Sequence, residues 1–324
     1  MYDPTHEYAT NVLVAGATGA IGYAVARELA VHGYRVHGLI RDVASRERLP
    51  YAVIPVIGDI RSPERWENAI DKAQVIVNCA MPDDLGTTPM TRDAAEREAE
   101  ALAAILGHLF DFIRHKKRRL IQTFGALLFE PDADGWVRES SAVSSGKGYG
   151  IRHRKSYPIF DGHRKKGLRA VSVNPAFVYG RGGWFEHATL DAMSRGPSTL
   201  IGDGTQTMHY VAARDAAVGY RLAIEHGLDG HDYLLGDERP TTLGAFTRLV
   251  AKEMGAPDPV SVPEEELIPV LGDWAVEAYT TCPKVDTAKA REHLGWAPRF
   301  RTIEEGIPVA VREYKRAKLQ AAGR

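Results

Sequence analysis

Consecutive apolar positions at Val12, Leu13 and Val14 run directly into three glycines spaced three apart, Gly16, Gly19 and Gly22. An unbroken apolar run predicts a strand buried on both faces, as in a parallel sheet, and the glycines mark a tight turn into a helix over roughly Ile21 to His32. The pattern then repeats. Tyr34 to Asp42 reads as a second strand, Ala52 to Ile60 as a third and Gln74 to Ala80 as a fourth. Asp93 to Arg114 predicts a long helix, with Leu102, Leu106, Leu109 and Ile113 at four-three-four spacing. That stripe must be buried, either against the sheet or against a twin helix in a homodimer. Leu120 to Phe129 predicts a fifth strand, a helix follows from Gly148 and Tyr149 to Lys166 and Gly167, and Ala170 to Pro175 is a sixth strand. Units of strand, helix and strand at this spacing need right-handed crossovers. The predicted fold class is α/β, a Rossmann doubly wound parallel sheet.

The chain has 324 residues, 44% of them hydrophobic, enough for one large α/β domain with a smaller lobe. A net charge of −1 gives no global field toward nucleic acid or an anionic membrane, so the expected partners are a small-molecule substrate or a second copy of the chain. The run from His115 to Arg119 sits at a helix C-terminus, where cations suit the dipole, and no aromatic residue interleaves it. It reads as a solvated face. Cys79 and Cys282 form neither a disulfide framework nor a metal-ligand spacing, so no metal is expected. There is no basic and apolar leader and no run of about 18 apolar residues. The expectation is a soluble, cytoplasmic protein.

The glycines carry chemistry as well as shape. Gly16 permits the turn, Gly19 lets a phosphate approach the backbone, and Gly22 lets the helix pack on its strand. The helix N-terminus then offers unpaired N–H groups to a diphosphate. At the tip of the second strand stand Ile40 and Arg41. A carboxylate there would bond a ribose 2′-hydroxyl, whereas an arginine suits a 2′-phosphate, so the favoured cofactor is NADP, with NAD possible. Asp59 ends the third strand, placed either to accept from an adenine amino group or to cap the next helix. The small residues ending the fourth strand leave room for a ribose. Tyr149 and His153 lie one helical turn apart. In the stretch from Arg181 to His187, Trp184 and Phe185 stand beside glycines and read either as a cover over a ring or as ordinary core. Glu186 and His187 read as an acid and base pair or as a surface dipeptide.

In their order, these motifs resemble the short-chain dehydrogenase/reductase superfamily, in its extended branch of NAD(P)-dependent epimerases, dehydratases and reductases. The likeness covers Gly16-Ala-Thr-Gly-Ala-Ile-Gly22, Gly58-Asp-Ile60, Tyr149 ahead of Asn174-Pro175, Phe177-Val-Tyr-Gly180, Ile201-Gly-Asp-Gly204 and the tail from Asp286 to Pro298. It implies a dinucleotide-binding domain over 1–175 plus about 205–237, and a substrate lobe over about 176–204 plus 238–324. It also implies cofactor contacts from Thr18, Ala20, Ile21, Ile60, Ala80, Tyr149, His153 and Pro175, and substrate contacts around Met81, Gly125, Trp184, Phe185, His187 and Met208. Tyr149 becomes the proton donor or acceptor.

The sequence also departs from that family. His153 stands where the family has a lysine, and an imidazole carries charge only when protonated. Gly125 falls at the position of the family serine, with Thr123 a substitute only if the loop is shifted. Arg97 lies near the place of a family asparagine. Met208 replaces an arginine of nucleotide-sugar enzymes, which argues for a smaller or more apolar ligand.

Three readings follow. The first is an NADP(H)-dependent oxidoreductase acting on a carbonyl or alcohol of a small metabolite, with Tyr149, His153 and Thr123 as its catalytic set. The second is an epimerase or dehydratase using bound cofactor transiently. The third is a repurposed fold, either a lyase, isomerase or cyclase, or a dinucleotide-sensing protein without turnover.

Overall fold

Seven parallel strands make the central sheet of the computed structural model, which describes residues 10–81, 90–144, 146–148, 150–281 and 283–322. In chain order the strands are β1 (Asn11–Ala15), β2 (Arg35–Ile40), β3 (Ile54–Ile57), β4 (Val75–Asn78), β5 (Arg119–Thr123) and β6 (Ala170–Pro175). Two short strands, β7 (Phe177–Tyr179) and β8 (Tyr210–Ala212), pair with each other outside the sheet, and β9 (Asp232–Leu235) closes it. The sheet order is β9-β6-β5-β4-β1-β2-β3. Connections leave β1 toward β3 and then return to β4 on its other side. The carboxyl ends of β1 and β4 therefore flank a crevice, the place where open α/β sheets bind ligands.

Each face of the sheet is covered by helices, as runs of apolar strand residues require. On one face lie α1 (Ala20–Val31) and, later in the chain, Ala213–Glu225, with Val25, Leu29, Tyr220 and Trp296 fully buried against Val12, Val14 and Ile121. The other face takes α2 (Arg92–His115). Leu102, Leu106, Leu109 and Ile113 are all buried there with Leu13, Ile76, Leu120 and Phe160. The apolar stripe of α2 is thus spent within the chain, on the sheet and the helix Ser156–Lys165. A third cluster joins Phe177, Phe185, Met208, Tyr210, Phe246 and Ile307, with Tyr210 stacked on Phe246 at 4.0 Å.

The second, third and fourth strands are shorter than the pattern-based expectation by a few residues, and two elements differ from it more. The fifth strand stops at Thr123 instead of Phe129, and Ala126–Leu128 form a single 3₁₀ turn. The helix after Gly148 is two pieces, α3 (Gly150–Arg154) and α4 (Ser156–Lys165). Pro158 has no N–H to return to Arg154, so the ladder breaks just ahead of it. The remaining helices named below are α5 (Ala213–Glu225), α6 (Leu243–Met254), α7 (Asp273–Thr280) and α8 (Ile303–Ala322). Among the described residues no helix is long and apolar enough to cross a membrane, and no group of three His, Cys, Asp or Glu side chains is arranged to hold a metal. Cys282 lies outside the described residues.

Candidate active site

Gly16 ends β1 with φ +79°, and a Cβ there would fall 2.8 Å from the backbone of Cys79 and Ala80 at the end of β4. A Cβ on Gly22 would fall 2.1 Å from the Gly16 carbonyl oxygen, so α1 can approach the turn only as glycine. Gly19 donates its N–H to that same oxygen at 2.9 Å and begins α1 without any side-chain cap. Thr18 is half-buried beside it. The opening amides of Ala20, Ile21 and Gly22 are thereby left to a ligand, with the positive end of the helix dipole behind them. A turn packed this closely by Gly16 and Gly22, with Gly19 bare at its mouth and the opening α1 amides behind it, fits the diphosphate of a dinucleotide.

At the adenosine end, Arg41 follows β2 and is exposed. Asp59 is engaged by Arg61, which donates its backbone N–H to Oδ1 at 2.9 Å and its guanidinium to both oxygens at 2.8–3.1 Å. Those bonds, led by the Arg61 side chain, hold the Asp59 carboxyl below its usual range, and Arg41 adds to the effect. Two guanidinium groups therefore share this corner. Only Arg41 was apparent from the strand-tip pattern. Ile60, next in line, is buried.

Beyond the cradle opens a cavity of about 180 Å³ lined by Ile21, Phe124, Gly125, Leu127, His153, Pro175, Phe177 and Trp184, among others. Ile21 belongs to the first turn of α1, so cradle and cavity share a wall. His153 is the one titratable group among the described lining residues. Its ring meets Phe124 edge-on at 5.4 Å, and Nδ1 is shut from solvent with no hydrogen-bond partner among the described residues. Burial, helped by the neighbouring Arg152 charge, pushes its pKa down to about 3. The imidazole is neutral at physiological pH. Nearby cations are held elsewhere: Arg152 lies 4.5 Å over Trp274 and 3.6 Å from Glu98, Arg154 pairs with Glu96, and Lys155 with Glu100.

The sequence model of the NAD dependent epimerase/dehydratase family matches residues 12–236. The chain belongs to that family. It is also similar to a 3-diazoavenalumate denitrifying reductase of a Streptomyces species, 25% identical over 310 residues, 92% of this chain and 99% of the relative. Among solved structures, a UDP-glucose 4-epimerase of Thermotoga maritima with UDP-glucose superposes with a TM-score of 0.78 at 22% identity, covering 96% of this chain and 100% of the other. A dTDP-glucose 4,6-dehydratase of Bacillus anthracis in complex with NAD superposes with a TM-score of 0.77 at 17% identity, covering 95% and 97%. This epimerase/dehydratase-family chain is an enzyme with a nicotinamide dinucleotide fold, and its cradle fits that cofactor.

Other residues of the family pattern are dispersed. Tyr149 lies outside the described residues. Its neighbours are fixed: Gly148 donates its N–H to Glu277 at 3.0 Å and receives the Trp274 indole N–H at 2.8 Å, while a Cβ on Gly150 would meet the Leu127 carbonyl at 2.2 Å. Thr123 does not line the cavity. Its hydroxyl accepts from Tyr220 at 2.7 Å and donates to the Cys79 sulfur at 3.2 Å, on the α5 side of the sheet. Burial pushes the Cys79 thiol up to about 12, so it is a packed thiol and not a nucleophile. Gly125 does line the cavity, which therefore receives no hydroxyl from β5.

On the substrate side Trp184 forms one wall, edge-on to Phe177 at 4.9 Å. Phe185 and Met208 are buried in the third cluster, and Met81 packs at the rim of the α2 layer beside Ala80. His187 is 70% exposed and faces Asp191 at 3.4 Å, whereas Glu186 accepts from the Gly182 N–H at 2.7 Å. These two neighbours turn to different partners.

Proposed function

We propose that this enzyme is an NADP(H)-dependent reductase that works in the reducing direction on a carbonyl-type group of a small, apolar, ring-bearing metabolite. The observation that carries the reading is the neutral His153 in the lysine's place, in a cavity with no cation among its described lining residues. A phenol that has to give up a proton serves at its ordinary pKa. A phenol that has to take one from an alcohol must first be phenolate, which at neutral pH needs an adjacent fixed charge. Epimerisation and dehydration through a transient ketone both begin with that second demand. The Streptomyces relative, named as a reductase, supports the same direction.

In this reading the α1 amides hold the diphosphate, and Arg41 with Arg61 holds the 2′-phosphate. His153 orients a ribose hydroxyl through a neutral hydrogen bond, and Tyr149 delivers the proton. When bound, the cofactor supplies the hydride. The chain's own contribution is orientation, exclusion of water by Phe124, Leu127, Phe177 and Trp184, and proton delivery. An uncharged cavity of this size suits a ring better than a sugar diphosphate, and Met208 is committed to the lobe's core.

NADPH oxidation at pH 7 against a panel of cyclic and aromatic carbonyl compounds tests the proposal. Consumption of NADPH with some of them, and no matching NADP reduction by the product alcohols at that pH, is expected. Turnover of a sugar nucleotide without net change in cofactor absorbance would assign the epimerase class instead. Arg41→Ala should weaken NADPH by about tenfold more than NADH, and Arg61→Ala should act in the same sense, because a charge-assisted bond to the 2′-phosphate is lost in each. Equal losses for the two nucleotides, measured by calorimetry, would remove the specificity assignment.

A further inference from the structure

The loop after β7 reaches back to the start of α1. Gly180, Gly182 and Gly183 take φ values of +139°, +75° and +60°, a left-handed run that turns the chain sharply. It turns toward the cradle. A Cβ on Gly182 would lie 3.5 Å from the Ala20 Cα, and one on Gly183 3.1 Å from the Ala20 Cβ. Between Gly180 and Gly182 stands Arg181, whose guanidinium lies 4.0 Å from the centroid of the Tyr23 ring, one turn into α1. The Glu186 carboxylate fixes the loop by accepting from the Gly182 N–H. Arg181 itself is exposed, and no ion pair to a carboxylate is seen for it among the described residues. A cation–π contact at an exposed site contributes only about 0.5–1 kcal/mol. Its effect here is geometric, holding the guanidinium on the first turn of α1, the helix whose start has no side-chain cap.

We infer that Arg181 is a cofactor-anchoring residue that pairs with the diphosphate of the bound dinucleotide from the side opposite the α1 amides. This inference rests on the dinucleotide reading of the cradle and adds a residue from outside the glycine motif. A planar, stacked guanidinium is preorganised for two phosphate oxygens, so little rotamer freedom is lost on binding. The same four-residue loop ends in Trp184, a wall of the substrate cavity. Occupancy of the diphosphate position therefore steadies that wall, and cofactor binding favours substrate binding.

Calorimetry on the full chain separates the possibilities, with NADPH, NADH, ADP-ribose and 2′-AMP as probes. Arg181→Ala should lose about tenfold in affinity for the three diphosphates, since one charge-assisted pair is removed from each. Affinity for 2′-AMP, which has no diphosphate, should be unchanged. Arg181→Lys should retain part of the affinity, and Tyr23→Leu should lose an intermediate amount by freeing the guanidinium. Wild-type affinity for ADP-ribose in Arg181→Ala would overturn the inference while leaving the cofactor reading intact. A wild-type chain that binds none of the four would remove the cofactor reading and this inference with it.

Discussion

Replacing His153 with lysine should make the enzyme oxidise, at pH 7, the alcohol that the wild type only produces. A phenol with a pKa near 10 is about 0.1% phenolate at pH 7, and a fixed ammonium one helical turn away lowers that pKa by roughly two units or more. The oxidative efficiency at pH 7 should then rise on the order of 10²-fold, and kcat/KM for reduction should rise in step, because the variant lowers the shared barrier and leaves the equilibrium between carbonyl and alcohol unchanged. In the wild type the oxidative rate should climb about tenfold per pH unit up to pH 10, since burial keeps the imidazole uncharged throughout that range. His153→Gln is the companion variant. It keeps a neutral hydrogen-bonding side chain against Phe124 and should leave the wild-type profile in place. Profiles from pH 6 to pH 10 that coincide for lysine and histidine would disprove Tyr149 as the proton-transferring group. The lysine also enters an apolar wall, which lowers its own pKa, so its gain should fade above the pH at which it loses its proton.

How much of this was legible in the residues follows from how local each signal is. The glycine triplet was readable because each glycine answers to backbone within a few residues: Gly22 faces Gly16, and only the Gly16 contact with Cys79 and Ala80 is distant. Arg41 was readable because a strand's length fixes where its tip falls. The four-three-four stripe of α2 told which face is buried but not against what, since periodicity carries no partner; Leu13, Ile76 and Phe160 supply it. Thr123 carried a signal that was not used. Side chains alternate along a strand, and Ile121, two positions earlier, belongs with Val12 and Tyr220 on the α5 face, so Thr123 points there as well. Trp184 and Phe185 separate for a similar reason, neighbours at a helix start facing the cavity and the third cluster. The state of His153, the Arg61 grip on Asp59 and the stacking of Arg181 on Tyr23 depend on tertiary approach. No spacing announces an arginine that meets a ring 158 positions earlier.

Alanine at Gly22 should cost both stability and cofactor, and alanine at Gly19 cofactor alone. A methyl group on Gly22 would sit 2.1 Å from the Gly16 oxygen and 2.6 Å from its carbonyl carbon, and Gly16 has little room to retreat, since even a Cβ built on it would lie 2.8 Å from the Cys79–Ala80 backbone. Nothing in that stack is a flexible side chain. The strain has to be relieved by prising α1 from β1, at about 1–3 kcal/mol for an overpacked core site. The opening amides of α1 move with it. Losing two charge-assisted amide bonds to the diphosphate reduces affinity on the order of 10²-fold or more. At Gly19 the added methyl group meets only the Gly16 oxygen, at 3.3 Å, so the free protein should melt close to wild type while the phosphate is kept at a distance. Gly162, inside α4 with nothing within 4 Å of a built Cβ, is the control, and alanine there should stabilise by about 0.5–1 kcal/mol without touching affinity. Thermal melts of the three variants, with NADPH calorimetry on each, decide the matter. If Gly22→Ala binds NADPH like the wild type, the β1–α1 turn is not where the diphosphate sits.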